Sequence, residues 1–257
     1  MTTVGGIFEA INGIAPFSTQ QSYDNSGLLV GGAQAQAQKL LIALDITAPV
    51  AAEAVGGGFD LVIAHHPVIF SPLKELDPAH PAVVLARHGI AAICAHTNFD
   101  SAKNGMSDAF CKALGLGESS EPLAVEEGRP LGGIIDAACA MQANDLAELL
   151  KTRLDARVVR YISGGKPIRK IAFCAGSGGS NFADALAKKC DAFITGDIKH
   201  SVFVEAENAG IALFDAGHFH TEFVFCAAME RFLKAAFPTL EIQISQKNRP
   251  PECVSFN

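Results

Sequence analysis

The sequence predicts an α/β protein made of two similar lobes. Three observations lead there. Short apolar runs at 39–44, 61–64 and 90–95 alternate with segments of helical spacing. Runs of the same kind return in the same order in the second half. Several of these runs end at His or carboxylate residues. The chain has 257 residues, of which 49% are hydrophobic. That length accommodates one large core or two smaller ones.

The elements follow in order. Ile7, Phe8, Ile11 and Ile14 lie on one face of a helix. Asp24-Asn25-Ser26-Gly27 reads as a turn into a strand. Lys39 to Leu44 is a buried strand ending at Asp45. Pro49 to Val55 is a helix closed by Gly56-Gly57-Gly58. Leu61 to Ala64 is the next strand, Pro81 to Arg87 a helix, and Ile90 to Ala95 a strand. Asn104 to Leu114 is a helix with Met106, Phe110 and Leu114 on one side. Residues 123–168 contain a strand at Leu131 to Ile135, a helix at Ala143 to Leu154 and a strand at Arg157 to Ile162; the sequence does not assign them to a sheet. Gly176-Ser177-Gly178-Gly179-Ser180 joins a strand at Ile171 to Ala175 to a helix at Phe182 to Lys188. Its backbone N–H groups offer a cradle for an anion or phosphate at a helix N-terminus, but it is neither a Walker sequence nor a full dinucleotide fingerprint, and a turn needed for tight packing is the favoured reading.

The internal repeat rests on three matched runs. Lys39 to Asp45 resembles Lys170 to Ala175, Phe59 to His65 resembles Cys190 to Gly196, and Gly89 to Ala95 resembles Gly210 to Ala216. The polar stretch Glu118-Ser119-Ser120-Glu121-Pro122 divides the lobes. The expected domains are 1–121, with His65, His66 and Asp100, and 122–257, with His218 and Glu222. Alternating strands and helices form parallel sheets, where ligands collect beyond the C-terminal strand ends. The expected site therefore lies at the lobe interface.

Composition excludes several classes. The formal net charge is −7 and there is no dense run of Lys and Arg, which disfavours nucleic acid as a partner. No apolar stretch reaches membrane-spanning length, because Asp45, Asp60 and His65 interrupt the best ones. No basic segment followed by an apolar core opens the chain, so the expected location is cytoplasmic. Seven scattered cysteines contain no Cys-x-x-Cys pair and read as small buried hydrophobes in a reducing compartment.

The chemistry concentrates in His65-His66-Pro67, His96-Thr97-Asn98-Phe99-Asp100 and Gly217-His218-Phe219-His220-Thr221-Glu222. Imidazole with carboxylate suits zinc, iron or manganese. His218 and Glu222, four apart, share a face if a helix starts at His218. His65 and His66 reach one site only if the strand ends there and the chain bends, and Pro67 favours such a break. Asp100 is expected on a loop. His65, His66, Asp100, His218 and Glu222 exceed what one tetrahedral site needs and fit a dinuclear centre. His96 is either a group that orients a ligand or a general base. His80, His88, His200 and His220 read as ordinary surface or core histidines.

Taken together, these residues resemble the NIF-three-like family of GTP cyclohydrolase 1 type 2 homologues. The resemblance rests on Tyr23-Asp24-Asn25-Ser26-Gly27-Leu28, Leu44-Asp45-Ile46-Thr47, Ala64-His65-His66-Pro67, His96 to Asp100, Gly176-Ser177-Gly178, Thr195-Gly196-Asp197-Ile198-Lys199-His200, and Asp215-Ala216-Gly217-His218 with Glu222. Tyr23 departs from the Trp common in the family, and His220 is unusual in its loop. The resemblance implies two α/β lobes, two divalent metal ions per chain held by His65, His66, Asp100, His218 and Glu222, and a toroidal homohexamer. It implies a metal-dependent hydrolase for a nucleotide-like or small heterocyclic substrate. The alternative is a non-catalytic, metal-containing ring that works through its interactions.

Overall fold

A computed structural model describes residues 2–253. The elements in chain order are α1 (Val4–Ile14), β1 (Gly27–Val30), β2 (Lys39–Ala43), α2 (Ala48–Gly56), β3 (Leu61–Ala64), α3 (Pro81–Arg87), β4 (Ala91–Cys94), α4 (Thr97–Asp100), α5 (Met106–Leu114), β5 (Ser119–Glu121), β6 (Ala124–Glu126), β7 (Arg129–Leu131) and β8 (Gly133–Met141). They continue with α6 (Ala143–Arg153), β9 (Arg160–Ile162), β10 (Ile168–Phe173), α7 (Phe182–Ala187), β11 (Ala192–Thr195), α8 (His200–Ala209), β12 (Ala212–Asp215), α9 (His218–Glu222), α10 (Val224–Ala236) and β13 (Glu241–Ile244). The mixed α/β class expected from the sequence is the class observed.

The chain forms two compact units, but not by a single cut between 121 and 122. The first unit runs through Gly105 and resumes at Phe225–Arg249; the second contains Met106–Val224. Two packing facts set this division. Helix α5 puts Phe110 and Leu114 into the second core beside Leu146 and Leu150 of α6. Strand β13 pairs in parallel with β2, Ile242 opposite Leu40, so the C-terminal segment completes the first sheet.

In the first unit the strand order is β1-β4-β3-β2-β13. Strands β2, β3 and β4 are parallel, and β1 runs antiparallel to β4. Helices α2 and α3 make the crossovers. Thr47 caps α2 by accepting a hydrogen bond from the Val50 N–H. Successive strand side chains point to opposite faces, so Leu41, Ala43, Val62, Ala64, Ala92 and Cys94 face α2 and α3.

In the second unit the order is β5-β8-β10-β11-β12-β9. Strands β10, β11 and β12 are parallel, with α7 and α8 as crossovers, and β9 is antiparallel to β12. The segment that the sequence left unassigned supplies β5 and β8 at one edge and β9 at the other. Ile171, Phe173, Ile194 and Phe214 face α5 and α6, whereas Ala172, Phe193 and Leu213 face α7 and α8. Both faces of this sheet are covered, which explains why its strands read as continuous apolar runs. Five cysteines are buried as expected, but Cys139 and Cys253 are exposed. Cys139 lies in the partly exposed strand β8, and Cys253 follows the last described element.

One hydrogen-bond frame recurs in both units. Asp60 Oδ2 accepts from the N–H groups of Gln38 and Lys39 at 2.8 and 2.9 Å. Asp191 Oδ2 accepts from Arg169 and Lys170 at 2.9 and 2.8 Å. The Asp60 carbonyl accepts from Ala91 N–H and the Asp191 carbonyl from Ala212 N–H. Each aspartate thus ties the start of one strand to the start of the next. Replacing either Asp60 or Asp191 by Ala leaves two strand-start donors without their acceptor and is expected to cost about 1–2 kcal/mol. Urea unfolding should show similar losses for the two variants, against less than about 0.5 kcal/mol for exposed Glu148→Ala.

Candidate metal centre

In the first unit, three imidazoles meet beyond the parallel strand ends. Strand β3 stops at Ala64, and His66 N–H still donates to the Leu44 carbonyl at 3.0 Å. The chain then turns away at Pro67. His65 is fully buried, and its Nδ1–H donates to the Ala95 carbonyl at 2.9 Å. Because a carbonyl can only accept, this bond fixes a proton on Nδ1 and sets the direction of Nε2. His66 Nδ1 lies 2.7 Å from Asp45 Oδ1, just past the end of β2. Asp45 is itself held: its N–H donates to Asn248 Oδ1 at 3.1 Å.

His96 follows β4. Its Nδ1 is 2.8 Å from Asp24 Oδ1, and its backbone N–H donates to Ser26 Oγ. His65, His66 and His96 offer ligand nitrogens that all lie within 4.8 Å of one another. Asp100 joins them, with Oδ1 3.6 Å from His65 Nε2. Asp100 does not sit on a loop, as the sequence implied. It ends the one-turn helix α4, whose backbone bonds include Asp100 N–H to the His96 carbonyl. That turn carries the carboxylate back toward the imidazoles.

In the second unit, β12 ends at Asp215 and α9 begins at His218. Gly217 precedes it at φ 82°, a conformation that favours glycine. His218 and Glu222 stand one turn apart on one face, as their spacing anticipated, with Nε2 2.9 Å from Oε2. His218 Nδ1 is 2.7 Å from Asp197 Oδ2, beyond the end of β11. The hydrogen bond with Glu222 raises the His218 pKa, and although burial opposes this, the charge of Glu222 and the bond to Asp197 push it up to about 9. The glycine-rich turn packs directly on α9. Gly176 N–H donates to Thr221 Oγ1 at 2.9 Å, and a Cβ on Gly176 would meet Glu222 Oε1 at 2.0 Å. Tight packing is therefore what this turn accomplishes.

Two of the other histidines have local partners. His80 caps α3 through Nδ1, and His88 Nδ1 pairs with the Val84 carbonyl. Sequence reasoning missed Asp24, Asp45 and Asp197, the carboxylates that hold His96, His66 and His218. Their signal was an Asp at or just past a strand end, or in the turn before β1.

The site's donors fit a metal ion. Each imidazole is anchored through Nδ1 to an oxygen, which fixes the ring's orientation and directs Nε2 away from that anchor; metal-binding histidines show this arrangement. Burial alone would raise the Asp24 carboxyl, but hydrogen bonds from His96, Thr97 and Ser26 outweigh it and hold the group well below the usual carboxylate range. A depressed carboxyl contributes stability above its unfolded pKa of about 3.9, and this is lost as pH falls through the folded value. Asp24→Asn is therefore expected to cost about 2 kcal/mol at pH 7. Its deficit in urea unfolding should shrink at pH values below about 4, where the parent carboxylate begins to lose its advantage.

The profile of the Duf34/NIF3 (NGG1p interacting factor 3) family matches residues 2–251. The chain is 33% identical over 241 residues to a Helicobacter pylori protein called GTP cyclohydrolase 1 type 2, covering 91% of this chain and 92% of that one. It is 34% identical over 224 residues to the GTP cyclohydrolase 1 type 2 homolog of Streptococcus pneumoniae, covering 83% of each. The crystal structure of a Staphylococcus aureus hypothetical protein shares the fold, with a TM-score of 0.90 at 24% identity over 98% of this chain and 99% of that one. No helix among the described residues is long and apolar enough to cross a membrane.

Proposed function

The chain belongs to the Duf34/NIF3 family, and from that premise we propose that it is a dinuclear metal-dependent hydrolase acting on a nucleotide-like or other small heterocyclic substrate. In this reading His65, His66, Asp100, His218 and Glu222 hold two divalent ions, zinc, iron or manganese. The two donor sets join at the interface of duplicated lobes. The recurring hydrogen bonds of Asp60 and Asp191 support the duplication. The relative called GTP cyclohydrolase 1 type 2 supports the substrate class. A toroidal homohexamer, located in the cytoplasm, completes the proposal.

One observation carries the reading: in both units the candidate imidazoles are fixed through Nδ1 to an oxygen acceptor. Such bonds raise ligand basicity and lock ring orientation. Divalent ions bound there would supply Lewis acidity for hydrolysis. The chain supplies the proton handling. His96, held through Nδ1 by Asp24, has Nε2 available as a general base, and the Asp24 carboxylate stabilises the imidazolium that forms. Asp45 and Asp197 keep His66 and His218 in place.

Elemental analysis of the purified protein, with turnover measured on a panel of nucleotides, pterins and phosphoesters, tests this reading. His65→Ala and Glu222→Ala should each lose metal and turnover together. His96→Ala should keep its metal while losing on the order of 100-fold or more in rate. Absence of turnover by metal-loaded parent protein across the panel contradicts the proposal.

A further inference from the structure

We propose that Phe70 is a stacking platform for the planar ring of the ligand, placed beside the imidazole cluster of the first unit. This inference rests on the reading of the site as one for heterocyclic substrates. Phe70 follows the His65-His66-Pro67 bend and is 51% exposed, an unfavourable setting for a large apolar ring. Its ring centroid nevertheless lies 6.5 Å from that of His96 in an edge-to-face arrangement, with the planes at 71°.

The position is fixed by the backbone. Asn25 Nδ2 donates to the Ile69 carbonyl at 2.6 Å, directly before Phe70. Asn25 N–H in turn donates to Asp24 Oδ1, the same carboxylate oxygen that holds His96 Nδ1. One dipeptide, Asp24-Asn25, therefore sets both the proposed base and the exposed ring. Neither the buried core nor the metal donors require that coupling. A platform for a heteroaromatic ring does, because the ring must be held in a fixed relation to the group that handles the proton. Leu73 and Leu76 are also exposed on this segment, so a protein partner covering the loop is the competing occupant. An aromatic ring tied to an imidazole favours the planar ligand.

The test uses guanosine 5′-monophosphate as probe and ribose 5-phosphate as the same molecule without its base. Both are titrated into metal-loaded parent protein, Phe70→Ala and Phe70→Trp, with metal content and native mass measured on each. Stacking of a base on an aromatic side chain is worth about 1–3 kcal/mol. The nucleotide should bind Phe70→Ala at least about fivefold more weakly, with ribose 5-phosphate, metal content and mass unchanged. The chain has no Trp, so Phe70→Trp adds a single fluorophore that the nucleotide, and not the sugar phosphate, should quench. Nucleotide binding that is indifferent to Phe70→Ala, equal losses for both probes, or a change of native mass in place of a change of affinity overturns the inference and leaves the metal site standing. Failure of the parent protein to bind the nucleotide overturns both the inference and the heterocycle reading.

Discussion

Every imidazole at the candidate centre depends on a bond made by its other nitrogen. A free imidazole can swap tautomers and rotate about two torsions, and ordering it costs entropy. Here that cost is met during folding. His65 is tied to a backbone carbonyl, His66 to Asp45, His96 to Asp24 and His218 to Asp197. The acceptors sit at or near strand ends or in the turn before β1, so the sheet that builds the core also sets the direction of each ring. The site is preorganised by the same hydrogen bonds that close the strand-end turns.

That dependence explains the local backbone. Parallel strands all deliver their following turns to one edge, and only there can residues distant in sequence meet. His66 and Asp45 follow the ends of neighbouring strands, paired in register from Leu40 with Leu61 to Ala43 with Ala64. In the second unit Gly196 must approach α9 so closely that a Cβ would clash with the His218 backbone nitrogen. The glycine permits the contact and lets Asp197 reach His218 Nδ1.

Much of this was legible in the sequence. Leu61 to Ala64 reads as a buried strand, and all four residues are buried. The helix at Pro81 to Arg87 has the bounds its apolar spacing gives. The candidate donors His65, His66, His218 and Glu222 stand out because they follow such runs. Illegible parts share one cause, which is dependence on partners far along the chain. Strand β13 alternates only weakly between exposed and buried positions, and it gains its place by pairing with β2 at the opposite end of the sequence. Strand β8 is covered only over its first half. Asp24 looked like a turn residue, and only the fold brings it to His96 and Thr97.

The central claim is that oriented imidazoles and two carboxylates form one dinuclear centre. Anomalous diffraction at the zinc, iron and manganese edges, collected on crystals grown from metal-loaded protein, tests it most directly. The account predicts two ions per chain, bound through Nε2 of His65, His66 and His218 and through the carboxylates of Asp100 and Glu222. A single ion, ions elsewhere on the chain, or coordination through the Nδ1 atoms that the fold has committed to oxygen acceptors would contradict it.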